Sequence, residues 1–473
     1  MKALERLIER ISRQVNVHLR SLNFDVGPYL EKIVPLKQFT KFYGFYGITA
    51  HHPIHFHFSN SSLAGTYLLG QCKVDNAILY KSDIRGDELK AKGDCLKCGN
   101  VDIPVDQDEV IRITDSYLIK TLIHNYSHDP VDPENFNIRS TVAMPYANIH
   151  GSPVEGCFLG SFATADLTTF QKCVLGEYAY VQVGELTHTE VPAGLIWVRA
   201  QDFFEFRYQH DPGILAAYIS MPPGGRPGGR FIDFEEGLQD AFQPCFDQVC
   251  LIHDVKVSRW SSTSPYAMVK GSSMIGENVL VCQRAYLENA RLGRGANAQE
   301  HCSIINSELA GYNVTAHGGF IINCKMDENI FVGFNAYLHG LQDAPLRVGK
   351  GCIVMPHTII DLAEPVAIPP DTLVWGHITR QKDVAENSIA LKKLSAVTSE
   401  IRVGGMIFKG SGSGFVKAFK HRINHILEAN GAYFDGKKGR GHAQKGQNIA
   451  FNIIQPYPMG PMKGIYPTMD INP

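Results

Sequence analysis

The sequence predicts a mainly β chain wound as a parallel β-helix, with irregular insertions and helical N- and C-terminal extensions. Three observations predict it. Ile275, Leu292, Leu309 and Met326 recur at intervals of seventeen residues. Val281, Ala298, Thr315 and Val332 follow them by six residues, and Leu287, Ile304, Ile321 and Leu338 by six more, a 6+6+5 pattern kept over four units. Units this short cannot bury their own apolar residues and must stack on their neighbours. The spacing therefore means three short strands per coil, each with one inward residue. The third observation lies at the corners, where Gly276, Gly293, Ala310 and Asp327 follow the first inward residue and Asn289, Asn306, Asn323 and Gly340 form a further column. Asn and Gly tolerate left-handed backbone angles, and stacked Asn side chains can bond into a ladder.

The elements follow in chain order. Residues 1–57 form an N-terminal helical extension, with Leu4, Ile8, Ile11 and Val15 at helical spacing over 2–24. Its end carries His51, His52, His55 and His57. Strand alternation puts only the last two on one face, so a structural role is expected of the group. Residues 58–190 are a first, irregular part of the β-helix, in which Leu159 and Leu175 are sixteen apart and Ala165 and Val181 each follow six later. Within it, Cys95 and Cys98 make a CxxC with no second pair to complete a zinc ribbon, so a surface loop with free thiols is expected. Residues 191–257 are an insertion holding the aromatic stretch Phe203–Tyr208 and a mobile basic loop from Pro222 to Arg230. The regular β-helix spans 258–380 and is closed by Ile368–Gly376, after a coil on Val348, Val354 and Ile360. Its five surplus residues, around Gly340–Pro345, push a loop out of one corner. Residues 381–473 hold a helix over Phe415–Ala429, stopped by Asn430-Gly431, and an arm that orders against a neighbour.

Composition narrows the function. The 473 residues are 44% hydrophobic with a formal net charge of −2, which gives no electrostatic reason to expect nucleic acid or an anionic membrane. The charged start (Lys2, Glu5, Arg6) is unlike a secretory signal, no uncharged run approaches a transmembrane span of about 20 residues, and eleven cysteines suit a reducing cytoplasm.

Chemistry is expected on the regular coils. His301 is nine residues past Leu292 and His317 eight past Leu309, so both are expected at one corner of neighbouring coils, about 4.8 Å apart. A neutral imidazole there could take a proton from an attacking hydroxyl or amine. His301 is the expected general base and His317 its assistant. Glu300 would orient His301 if the corner turns it, and the N–H groups of Gly318 and Gly319 could stabilise an oxyanion. His339, at the base of the loop, is expected as a substrate contact.

The columns, with Leu292-Gly293-Arg294-Gly295 and Leu309-Ala310-Gly311-Tyr312-Asn313-Val314, resemble the hexapeptide-repeat transferase superfamily. The resemblance implies a left-handed parallel β-helix, a homotrimer, and acetyl-CoA or another acyl-CoA as co-substrate in a groove between subunits. His301 to Gly319 is similar to the acetyltransferase half of the enzyme that forms UDP-N-acetylglucosamine. That similarity places His301 on the catalytic histidine and makes Asn313 a substrate-binding candidate. Arg380 and Lys382, just past the last coil, could meet the donor's phosphates. A second similarity, to γ-class carbonic anhydrases around Asn329–Gly333, aligns His317 with a metal ligand but Ile322 with the next one. Three readings follow. An acyl- or acetyltransferase acting on a sugar, nucleotide sugar or other small hydroxyl or amine acceptor comes first. The rivals are a γ-carbonic-anhydrase-like zinc site on His301 and His317, and a non-catalytic scaffold. Only the first rival implies zinc.

Overall fold

The computed structural model describes all residues except 1, 32, 49–55, 87, 99–100, 126–134, 248–256, 447–449, 455–464, 466–468 and 472–473. The chain forms two compact units: the first comprises Met1–Gly194, Pro212–Gly237 and Ala450–Pro473, the second Leu195–Asp211 and Leu238–Ile449. The expected insertion 191–257 is therefore shared out between two bodies. Each unit is built from parallel sheets of short strands, and the fold is a left-handed parallel β-helix.

In the second unit the three expected columns are the three inward columns. Ile275, Leu292, Leu309, Met326 and Val348 pair in register on one side. Val281, Ala298, Thr315, Val332 and Val354 pair on the second, and Leu287, Ile304, Ile321, Leu338 and Ile360 on the third. Nearly all are at most 4% exposed and lie in one continuous apolar cluster, so each coil buries its neighbours' inward side chains. The Asn column forms part of the expected ladder: Asn289 Nδ2 donates to Asn306 Oδ1 at 3.1 Å, and Asn323 Nδ2 to the carbonyl of Gly340 at 3.2 Å. All three Asn residues have φ between 47° and 52°.

The first unit has the same construction with a sixteen-residue rung. Leu159 pairs with Leu175 and Ala165 with Val181, as their spacing predicts. Helix α1 (Lys2–Leu19) buries Leu4, Leu7, Ile11, Val15 and Leu19, so Leu7 faces inward where Ile8 was expected; the true stripe steps 3, 4, 4, 4. The helix ends at Leu19, short of the expected residue 24. Two further expectations are corrected. The Pro222–Arg230 segment is pinned at its ends, with Ser220 and Gly228 exchanging two backbone hydrogen bonds of 2.9 Å. The described strands of the C-terminal arm pair with their own chain, Ala450–Ile454 antiparallel to Gly44–Ile48 and Met469–Ile471 to Phe56–Phe58. Of the four clustered histidines, His51, His52 and His55 lie outside the described residues; His57 Nε2 is 3.1 Å from Asp75. Cys95–Cys98 is one strand of a hairpin with Val101–Pro104.

The second unit also carries helix α2 (Gly412–Asn430), three residues longer at its start than expected because Ser411 caps it, accepting from Gly414 N–H at 3.1 Å. It ends at Gly431, φ 81°, as Asn430-Gly431 predicts. Its inward residues are Phe415, Val416, Phe419 and Leu427. The hairpin Leu195–Ala200 with Phe204–Gln209 ends at His210, whose Nε2–H donates to the carbonyl of His357 at 2.8 Å. Burial, the largest cause, holds His210 down from 6.5 to about 4. Between those values the unfolded chain binds a proton that the folded chain refuses, so stability falls as pH falls. The loss amounts to about 3 kcal/mol once pH is below 4. Urea titrations at pH 7 and 4.5 should show it, and His210→Gln should flatten that part of the dependence.

Candidate functional site

The repeat decides which side chains meet. With a seventeen-residue rung, Glu300 lies under His317 and His301 under Gly318. His317 Nδ1 is 2.8 Å from Glu300 Oε2, with the two side chains 2% and 1% exposed. Glu300 therefore serves His317, at the same position of the next rung, where the sequence allowed that it might orient its neighbour His301. His301 belongs to a different column: Arg284, His301, Gly318, Asn335 and His357 all have φ between 49° and 69°. These are the left-handed corner residues of successive rungs. The expected pairing of His301 with His317 at equal height is one residue out of register, because nine and eight residues past the first inward residue are different positions on the rung.

His317 and Glu300 form a buried pair. Removing one member of a buried polar pair strands the other, so the pair fixes the corner. Asn313 is likewise occupied: its Oδ1 accepts from Gly311 N–H at 2.8 Å and its Nδ2 donates to the carbonyl of Asp327 at 2.7 Å. An amide committed at both ends and 1% exposed fastens this turn. Arg380 and Lys382 are exposed on the short turn after the last coil, where the backbone N–H of Arg380 caps onto Asp383 Oδ2 at 2.9 Å.

His339 stands out from these. It closes the strand Tyr337–His339, directly opposite Asp361 on the next rung. Its Nδ1 is 3.0 Å from Asp361 Oδ1, and the side chains are 40% and 11% exposed. An ionised Asp361 accepts a hydrogen bond from Nδ1–H, and in that tautomer the lone pair is on Nε2. A half-open imidazole with a fixed tautomer is what a general base requires. The extra residues sit against it: Gly340 N–H bonds Ile322 O at 2.8 Å and Leu346 N–H bonds Asn323 O at 3.1 Å, so the loop leaves and rejoins the rung there. Leu341 packs on the core and anchors the loop. The Tyr337 ring lies edge-on to His339, centroids 6.0 Å apart.

The first unit holds a second constellation, missed in the sequence. Arg85, His124, His150 and Asp166 stand in register on successive rungs of one sheet. His150 Nδ1 is 2.9 Å from Asp166 Oδ1, the same His-below-Asp arrangement as His339 and Asp361. Tyr180 O–H donates to the other Asp166 oxygen, and the His124 and His150 rings lie 5.1 Å apart at centroids. A signal existed: His150 and Asp166 differ by one sixteen-residue rung.

Comparison with known proteins agrees with this architecture. A family model described as hexapeptide repeat including loop matches residues 101–223. The chain is 52% identical to a solved structure from Desulfovibrio desulfuricans G20, provisionally described as an acetyltransferase, covering 100% of this chain and 99% of that one with a TM-score of 0.92. A Bacillus cereus structure with the same provisional description aligns over 36% of this chain and 93% of its own at 13% identity, with a TM-score of 0.20 that bears no argument. No curated protein sequence matches. Among the described residues no helix is long and apolar enough to cross a membrane.

Proposed function

Because this chain belongs to the hexapeptide-repeat transferase superfamily, we propose that it is an acyltransferase. In this reading it moves an acetyl or other small acyl group from a coenzyme A thioester to a hydroxyl or amine of a small acceptor, a sugar or nucleotide sugar among the candidates. The observation that carries the reading is the His339–Asp361 dyad, 3.0 Å between Nδ1 and Oδ1 with the imidazole 40% exposed beside the corner loop. His339 Nε2 accepts the acceptor's proton as its oxygen or nitrogen attacks the thioester carbonyl. The tetrahedral intermediate then collapses, the carbon–sulfur bond breaks, and the thiolate leaves with that proton. Asp361 stabilises the imidazolium in between.

This assignment moves the base from His301, the candidate by resemblance, to His339, which has an orienting carboxylate and an open ring. Arg380 and Lys382 remain candidates for the donor's phosphates, being exposed cations past the last coil. A homotrimer, the common state of the superfamily, belongs to the same proposal. The test is release of free thiol from acetyl-CoA in the presence of panels of amino sugars, nucleotide sugars and simple amines and alcohols. Acceptor-dependent release supports the reading. If no acceptor stimulates release and no acyl-CoA raises the melting temperature, the scaffold reading replaces it.

A further inference from the structure

We infer that the first unit carries a divalent transition-metal site on His124 and His150, with Asp166 and Tyr180 behind it. The site is separate from the His339 dyad of the second unit, so either proposal can fail without the other. Parallel register places His124 directly opposite His150, and His150 opposite Asp166. The ligand nitrogens of the two histidines lie within 4.8 Å of one another. Both residues are buried, 6% and 7% exposed. Each neutral imidazole keeps one lone-pair nitrogen, and at this spacing the two can be turned to one shared cation.

The second layer favours this. His150 gives Nδ1 to Asp166 Oδ1 at 2.9 Å, with the Asp166 side chain wholly buried. Its Nε2 is then the lone-pair nitrogen, the one a metal takes. Carboxylates in this position behind a ligating histidine fix its tautomer and raise its basicity. Asp166 is itself held by the Tyr180 hydroxyl, which also reaches Gln182 Oε1 at 3.1 Å. The structure therefore supplies carboxylate, imidazole and hydroxyl in sequence, as metal sites do.

Glu88 stands beside His124 and is the candidate for a third ligand. Its Oε1 is 3.7 Å from His124 Nε2, and its side chain is 19% exposed. A tetrahedral ion with bonds of about 2.0–2.2 Å holds its ligand atoms roughly 3.3–3.6 Å apart, so this separation needs little adjustment. Two imidazoles and one carboxylate suit zinc or a neighbouring first-row ion, with the fourth position left for water or a substrate oxygen. Arg85, next in the column, brings one positive charge. Asp83 on the same strand, with Glu88 and Asp166, brings three negative ones, so the local balance favours a cation.

The test uses the full-length chain, stripped with a chelator and confirmed folded by circular dichroism. Zinc should bind at one ion per chain and raise the melting temperature, and cobalt(II) should give the visible absorption of a tetrahedral site. Asp166→Asn should weaken zinc binding 10- to 100-fold, and His124→Ala or His150→Ala should abolish the cobalt spectrum while His339→Ala leaves it intact. If the folded wild-type chain gains neither cobalt absorption nor a zinc-dependent melting shift, the site does not exist. Retention of the wild-type spectrum and stoichiometry by His150→Ala would overturn the ligand assignment equally. The wild-type measurement decides the matter even where a histidine variant fails to fold.

Discussion

His339→Ala should lower kcat by about 10²- to 10⁴-fold, the usual contribution of a positioned general base. The loss should appear equally in kcat/KM, because proton transfer is an interaction of the transition state and not of the bound substrate. The folded state should hardly notice: the side chain is 40% exposed and bonded to one neighbour, so the variant's melting temperature should stay within a few degrees. Asp361→Asn should cost on the order of 10²-fold, since the amide can hold the ring but cannot stabilise the imidazolium.

The neighbouring histidines make the result discriminating. His317→Ala should act on stability, leaving the buried Glu300 carboxylate without its partner at 2.8 Å at a cost of about 3–5 kcal/mol. His301→Ala, at a left-handed corner with φ 59°, removes a side chain from a strained position and should leave most activity. Steady-state kinetics on the three variants separates the roles. If His301→Ala is inactive and His339→Ala is not, the base lies at the corner column and the dyad is structural.

What could be read in the chain followed from periodicity, and what could not was hidden by interruptions to it. The columns from Ile275 to Ile360 were legible because an inward apolar residue is demanded at every strand of every rung. A site carries no such demand. His339 and Asp361 are twenty-two residues apart, one seventeen-residue rung plus the five of the corner loop. The surplus is visible in the sequence, and with those five residues looped out Asp361 falls directly opposite His339. His124 and His150 are twenty-six apart, one sixteen-residue rung plus ten, an insertion long enough to hide the column. Glu300 and His317 differ by seventeen, so that pair was available outright. The position that resembles a catalytic histidine is the residue after Glu300, His301, which belongs to the neighbouring corner column.

Helix α1 shows the same limit on a smaller scale. A stripe of Leu4, Ile8, Ile11 and Val15 and one of Leu4, Leu7, Ile11 and Val15 both fit a helical period. Packing alone selects Leu7, which is 4% exposed. The division of the insertion between two units had no local signature, since strand pairing between distant segments is set by which sheet edges are open.

Gly293→Val should be the most destabilising single substitution at a corner of the second unit. A Cβ built on Gly293 would stand 1.9 Å from the carbonyl oxygen of Ala310 and 2.4 Å from its carbonyl carbon. Both are backbone atoms of the next rung, so no side chain can rotate away. Nor can the rung lift. Leu292 pairs with Leu309 on one side of the corner and Ala298 with Thr315 beyond it, and Gly293 N–H bonds Leu309 O at 2.8 Å. The peptide that crowds Gly293 is fastened from above by Asn313, whose Oδ1 holds Gly311 N–H at 2.8 Å. Relief would have to break a ladder bond or detach Asn313, which leaves buried polar groups unpaired at about 1–3 kcal/mol each. Adding the steric misfit, a loss of about 4 kcal/mol or more is expected, a fall of roughly 10 °C in the melting temperature for a unit of this size. Gly237→Ala, where an added Cβ meets nothing within 4 Å, should be neutral in the same calorimetric experiment. Gly293→Val melting like the wild type would mean that the rungs can part at this corner, which a stack held by three ladders in register does not permit.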